Sequence, residues 1–135
     1  MEKHPTSTWL SKVALAMLIF YWACLVIGTH LPRGDDLIPP SVSDKFVHCT
    51  AYAILSVLIL WNWSLRASLR WPQYLVVVGA LGMFAIVDEV TQIPVGRDCD
   101  HLDWIADMMG TLGGLAVMIA ATALLRASHQ RLSGT

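Results

Sequence analysis

The chain has 135 residues, of which 56% are hydrophobic and only 14% charged, with a mean hydropathy of +0.57. Soluble domains carry roughly a quarter charged residues, so a soluble globular protein is all but excluded. A net charge of −1 likewise excludes a polycationic nucleic-acid binder, and the length fits one domain over residues 1–135.

Four stretches approach the about 20 apolar residues needed to cross about 30 Å of hydrocarbon. In chain order they are Trp9 to Thr29, Phe46 to Trp63, Tyr74 to Ile93 and Trp104 to Leu125. Backbone polar groups must be satisfied internally within lipid, and the alternating ten-residue segments of a membrane barrel are absent from the sequence. The expected fold is therefore an all-α membrane protein, a bundle of four transmembrane helices.

The first segment follows Lys3 and Lys12 as a signal peptide would. Its apolar run from Val13 to Ile27 is long, however, and no small-x-small cleavage site follows, so a retained helix is expected. Pro32, Pro39 and Pro40 punctuate the first loop, Pro72 suits a first helical turn, and Pro94 with Gly96 ends the third helix.

Four crossings put both termini on one side of the membrane. Lys3, Lys12, Arg66, Arg70, Arg126 and Arg131 fall at the termini and in the second loop, against Arg33, Lys45 and Arg97 on the other side. The positive-inside rule then makes both termini cytoplasmic. Trp9, Trp61, Trp63, Trp71 and Tyr74 gather at the same inner boundary as an aromatic belt. Of the ten acids only Glu2 is inward, whereas Asp35, Asp36, Asp44, Asp88, Glu89, Asp98, Asp100, Asp103 and Asp107 all fall on or just below the outer face.

Cysteine says less. Cys24 reads as a small packing residue, Cys49 and Cys99 both approach the outer surface and are candidates for a disulfide, and no CxxC occurs.

The second helix begins Ser43-Asp44-Lys45-Phe46, with Ser43 or Asp44 placed to cap it, and Asp44, His48 and Tyr52 recur every four residues, on one face. The third ends in Asp88-Glu89-x-x-Gln92, with both carboxylates inside the helix. Acids within the membrane are costly and face a bundle interior or water-filled cavity. Their candidate partners are Arg97, Lys45, His48 or a bound cation. In the fourth segment Asp100, Asp103, Asp107 and Gly110 share a helical face. Arg97 is a candidate bidentate clamp on Asp103 or Glu89. Gly110 and Gly114 form a small-xxx-small pair, which suits close helix packing and is where a homo-oligomer contact would be sought.

His48, Glu89 and Asp103 are thus candidate acid–base groups. Asp44, Lys45, Tyr52, Asp88, Gln92, Arg97, Asp100 and Asp107 are candidate substrate-binding residues, and Arg97 suits a phosphate or carboxylate. If the cluster takes a cation, oxygen-rich ligation with one histidine favours Mg²⁺ or Mn²⁺ over a thiolate zinc site. No nucleophile elbow, metalloprotease helix or phosphate loop occurs, and the reaction class stays open.

These three elements resemble the VanZ-like family of small bacterial membrane proteins. The resemblance rests on Asp44-Lys45-x-x-His48-x-x-x-Tyr52, on Asp88-Glu89-x-x-Gln92, and on Arg97-x-x-Asp100-x-x-Asp103-x-x-x-Asp107-x-x-Gly110-x-x-Gly113, over roughly positions 10 to 125. The family often has Asn where this chain has Asp107, and the stretch from Ile93 to Gly96 is short. The resemblance implies a cell-envelope role; the founding member is associated with low-level teicoplanin resistance. Two function classes follow. One is a membrane enzyme acting at the outer leaflet on a lipid-linked or envelope substrate. The other is a non-enzymatic module binding a lipid, a glycopeptide or a protein partner through the same pocket. A transporter fits least, because polar residues confined to one leaflet give no continuous path.

Overall fold

A computed structural model describes residues 5–31, 39, 41–96 and 99–133 of the chain. Within them the architecture is all-helical: α1 spans Pro5–Thr29, α2 Asp44–Ser64, α3 Trp71–Gln92 and α4 His101–Ser133, with a short 3-10 turn Ile93–Val95 after α3. All four long helices are long and apolar enough to cross a membrane.

The helices overrun the apolar stretches that announce them. α2 and α3 begin two and three residues before Phe46 and Tyr74, and α4 begins three residues before Trp104 and runs eight past Leu125. The extra turns are polar or aromatic. Asp44 and Asp103 lie in the first turns of α2 and α4, where the helix dipole favours a carboxylate. Hydropathy marks the hydrocarbon, whereas the backbone ladder continues into the interface.

The ends differ in detail from expectation. Ser43 occupies the N-cap position of α2 but its side chain makes no capping bond. Its carbonyl instead accepts the Phe46 and Val47 amides at 3.0 and 3.2 Å. Capping by side chain occurs at α4, where Asp100 Oδ1 accepts the Leu102 amide at 2.9 Å. Asp100 therefore sits at the entrance of α4 rather than on its face. Pro72 lies in the first turn of α3 as expected. Past Pro94 the chain turns through Gly96 at φ 80°, a left-handed conformation that glycine adopts without steric cost.

α2 is the central helix, in contact with the other three, and its most extensive partner is α4. A Cβ added at Gly110 would fall on the Cys49 carbonyl, and one at Gly114 on the Ala53 carbonyl. The small-residue pair is thus spent inside the chain, letting the α4 backbone press against α2. Ser56 Oγ donates to the Thr111 carbonyl at 3.1 Å across the same seam. Elsewhere Tyr21 OH ties α1 to α2 through the Ala51 carbonyl at 3.0 Å, and Trp104 Nε1 ties α4 to α3 through the Gly82 carbonyl at 3.2 Å. Leu25, Tyr52, Leu55, Leu60, Tyr74, Val77, Leu81, Ala85 and Met118 fill the middle. Outward faces carry exposed apolar side chains such as Phe20, Leu75, Met83, Leu124 and Leu125, as a lipid-facing surface requires. Cys24, Cys49 and Cys99 are free thiols, so the candidate Cys49–Cys99 disulfide is not formed.

The end of α1, the start of α2, the end of α3 and the start of α4 meet at one end of the bundle. Trp9, Trp61, Trp63, Trp71 and Tyr74 belong to the opposite helix ends.

Candidate functional site

At the first of these ends the helices enclose a layer of polar side chains. His48, Asp88, Glu89, Gln92, Asp103 and Asp107 are all buried there. None of them turns toward lipid, although all but Asp103, which directly precedes the fourth, lie within a stretch that sequence alone marks as membrane-spanning.

α2 brings three residues in register, one per turn. Asp44 and Lys45 stand half-exposed at the rim. Lys45 Nζ donates to Asp100 Oδ2 at 2.7 Å and to Asp103 Oδ1, and lies 3.8 Å from Asp44 Oδ2. Asp100 is outside the spanning segments, and the hydrogen bond from Lys45 together with the Leu102 amide holds its carboxyl below the usual carboxylate range. One turn further in, His48 Nδ1 lies 3.0 Å from Asp107 Oδ1, while Nε2 faces Asp44 Oδ1 at 3.9 Å. A carboxylate holding Nδ1–H fixes the ring and leaves Nε2 to work as a base. Another turn in, Tyr52 is 1% exposed and its hydroxyl has no partner.

α3 contributes two carboxylates with different surroundings. Asp88 Oδ1 accepts the Thr29 hydroxyl at 3.0 Å and Oδ2 the Gln92 amide at 3.2 Å, with His30 Nδ1 3.8 Å away. Glu89 Oε2 accepts the Asp100 amide at 3.1 Å, while its buried Oε1 has no partner.

Donor atoms of these side chains converge in two trios that share His48. One from each of Asp44, His48 and Asp103, and one from each of His48, Glu89 and Asp107, lie within 4.8 Å of one another. The candidate acid–base residues His48, Glu89 and Asp103 thus belong to one connected cluster, with Asp44, Lys45, Asp100 and Asp107 joined to it. Asp88 and Gln92 form a neighbouring pair closed by α1. Arg97 lies outside the described residues; Lys45 holds Asp103, one of the carboxylates proposed for the arginine clamp.

Thr29, His30 and Thr91, none of them a candidate in the sequence, join the layer. His30 Nε2 lies 3.0 Å from Thr91 Oγ1 and Nδ1 2.9 Å from the Val26 carbonyl, so the end of α1 is stitched to the end of α3. The available signal was a Thr-His pair directly after an apolar run, at the depth of Asp88.

Below the layer the lining changes to hydrocarbon. A groove of about 310 Å³ between α1, α2 and α3 is lined by Leu18, Trp22, Leu55, Ile59, Leu81 and Phe84, among others. The Phe84 ring lies 6.0 Å from that of Tyr52 and 6.2 Å from that of Trp22, so the groove adjoins the floor of the polar layer.

No family profile, curated protein or solved structure matches the chain.

Proposed function

We propose that the chain is a VanZ-like cell-envelope protein of the bacterial plasma membrane, both termini cytoplasmic, that receives the polar end of a lipid-linked envelope substrate in the outer leaflet. One observation carries this reading: residues from all three sequence elements behind the family resemblance are packed together in a single buried layer. Separate packing roles for three polar motifs would not require their side chains to meet. The adjoining apolar groove suits an amphiphile, whose chain would lie against Trp22 and Phe84 while its head group meets Lys45 and the acids.

Binding and positioning are the core of the proposal, and the pinned His48 imidazole adds a base where the substrate is also turned over. A purely non-enzymatic module would bind the same lipid and leave it unchanged. Native mass spectrometry of the full chain in mild detergent tests the common part. A lipid-linked species should co-purify with the wild type and be depleted in His48→Gln and Glu89→Gln. Wild-type protein free of such lipid, or equal retention in both variants, would overturn it. In a teicoplanin-sensitive host carrying the gene, the same two variants should remove any protection while leaving membrane abundance unchanged.

A further inference from the structure

Buried acids at this depth need compensating positive charge or hydrogen bonds. Asp103 has Lys45, and Asp88 has Thr29, Gln92 and the nearby His30. Glu89, whose Oε2 has the Asp100 amide, and Asp107 are left to share, among the described residues, the single imidazole of His48 at 4.8 Å or less. Two further atoms point the same way. Glu89 Oε1 is buried without a hydrogen-bond donor. The Tyr52 hydroxyl, one turn deeper on the His48 face, is also buried and unpartnered, within electrostatic reach of Asp107, Asp88 and Glu89. A phenol 1% exposed would ordinarily be hydrogen-bonded.

We infer that His48, Glu89 and Asp107 are the protein ligands of a buried divalent cation of the Mn²⁺ and Mg²⁺ class. Around an octahedral ion with bonds of about 2.1 Å, ligand atoms sit about 3.0 Å apart when adjacent and about 4.2 Å when opposite. The 3.0 Å from His48 Nδ1 to Asp107 Oδ1 matches an adjacent pair, and Glu89 brings a carboxylate oxygen within 4.8 Å of the ligand atoms of both, near enough for a small side-chain shift to complete the set. On binding, Nδ1 would release its proton to solvent and the ring would keep Nε2–H toward Asp44, 3.9 Å away, so that Nε2 serves as a base only in the metal-free site. That is the carboxylate–histidine–metal orientation that fixes an imidazole ligand. Glu89 can ligate through Oε1 while Oε2 keeps the Asp100 amide. Three protein ligands leave positions for water and for an incoming oxygen, and Tyr52 is placed to hold a metal-bound water. One imidazole with two carboxylates favours Mn²⁺ and Mg²⁺ over thiophilic metals.

The competing trio of Asp44, His48 and Asp103 is disfavoured by charge. The Lys45 ammonium already rests on Asp103 and lies 3.8 Å from Asp44, where it would repel a cation. The site stands independently of the family reading, because its test uses no lipid.

The full chain, purified in mild detergent and stripped with EDTA, is titrated with MnCl₂ and read by electron paramagnetic resonance. One bound Mn²⁺ per chain is expected, displaceable by Mg²⁺, with electron spin-echo modulation from one imidazole nitrogen that disappears in His48→Gln. Glu89→Gln and Asp107→Asn should each weaken binding about tenfold or more, whereas Asp103→Asn should retain the ion. No bound Mn²⁺ in the wild type at about 1 mM free metal, the weak end of divalent-cation sites, would overturn the inference. So would loss in Asp103→Asn with retention in Glu89→Gln, which would move the ion to the other trio. If a substituted chain fails to fold, the nitrogen modulation in wild type alone decides, its absence from bound Mn²⁺ counting against His48 and the site.

Discussion

The two ends of the bundle use a scarce supply of charge in opposite ways. At one end Asp88, Glu89, Asp103 and Asp107 are buried between helices, met by Lys45, His48, Thr29 and Gln92. At the other, Arg66, Arg70, Arg126 and Arg131 are exposed. Arg66 there donates to the Asn62 carbonyl at 2.8 Å and to the Ser11 carbonyl at 3.2 Å, neither of which is a charged partner. A long basic side chain can carry its charge out to the interface along an apolar stem. A short acidic one cannot, so an acid placed within the hydrocarbon span must find its partners inside the bundle. Location by side-chain length explains why exposed arginines orient a helix whereas buried carboxylates build a site.

The sharpest way to break this contrast is to remove one charge from each end. Asp107→Ala leaves His48 without its buried partner and is expected to destabilise the fold by about 3–5 kcal/mol, the range for breaking a buried pair. Arg126→Ala, at an exposed position, should stay within about 0.5 kcal/mol of wild type. Unfolding titrations with SDS in mixed micelles measure both, and equal losses would mean that burial does not separate the two ends.

A smaller effect tests what brings the acidic layer together. Gly110→Ala pushes α4 away from the Cys49 carbonyl and should cost about 1–3 kcal/mol, typical of overpacking. Gly113→Ala, where nothing lies within 4 Å, should be neutral or slightly stabilising in the same titration. The register set by Gly110 and Gly114 also positions Asp107 against His48, so Gly110→Ala should weaken Mn²⁺ binding as well, whereas Gly113→Ala should not.

That register marks the limit of what the sequence alone makes legible. Four apolar runs of membrane length specify the helices, and i, i+4 spacing puts Asp44, His48 and Tyr52 on one face of α2, because both follow from local geometry. Which acid meets His48 depends on how far α4 slides along α2, a non-local quantity that no spacing within one helix encodes. Hence Asp107, read as one more acid on a shared face, is the one that lies 3.0 Å from the imidazole. The partners of Asp88 escaped for a related reason. Thr29 and His30 look like an ordinary helix end, and only the packing of α1 against α3 makes Thr29 a donor to a buried carboxylate and sets His30 against Thr91.

The α1 contribution can be isolated with Thr29→Val, which removes one donor to Asp88 while keeping the side-chain shape. Side-chain hydrogen bonds between membrane helices average about 0.6 kcal/mol and reach about 1.7, and a loss in that range is expected. Thr122→Val provides the counterpart toward the basic end. Among the described residues its hydroxyl bonds only to the Met118 and Ile119 carbonyls of its own helix, so its removal should be near neutral.

The smallest effect separates the rim of the acidic end from its interior. Asp100 is held below the ordinary carboxylate range, first by the hydrogen bond from Lys45 and then by the Leu102 amide. A carboxyl with a lowered folded-state pKa contributes stability above its unfolded value, about 3.9, and loses it as pH falls through the folded value. The melting temperature of the wild type should therefore exceed that of Asp100→Asn at pH 6, and the difference should narrow progressively as the pH falls below about 3.9. Asparagine keeps a side-chain oxygen for the Leu102 amide, so the pH-dependent part reports the Lys45 pair rather than the cap. In Lys45→Met the same comparison should show a much flatter dependence. A difference that does not narrow at all as the pH falls would assign the role of Asp100 to helix capping and detach the rim from the charge network beneath it.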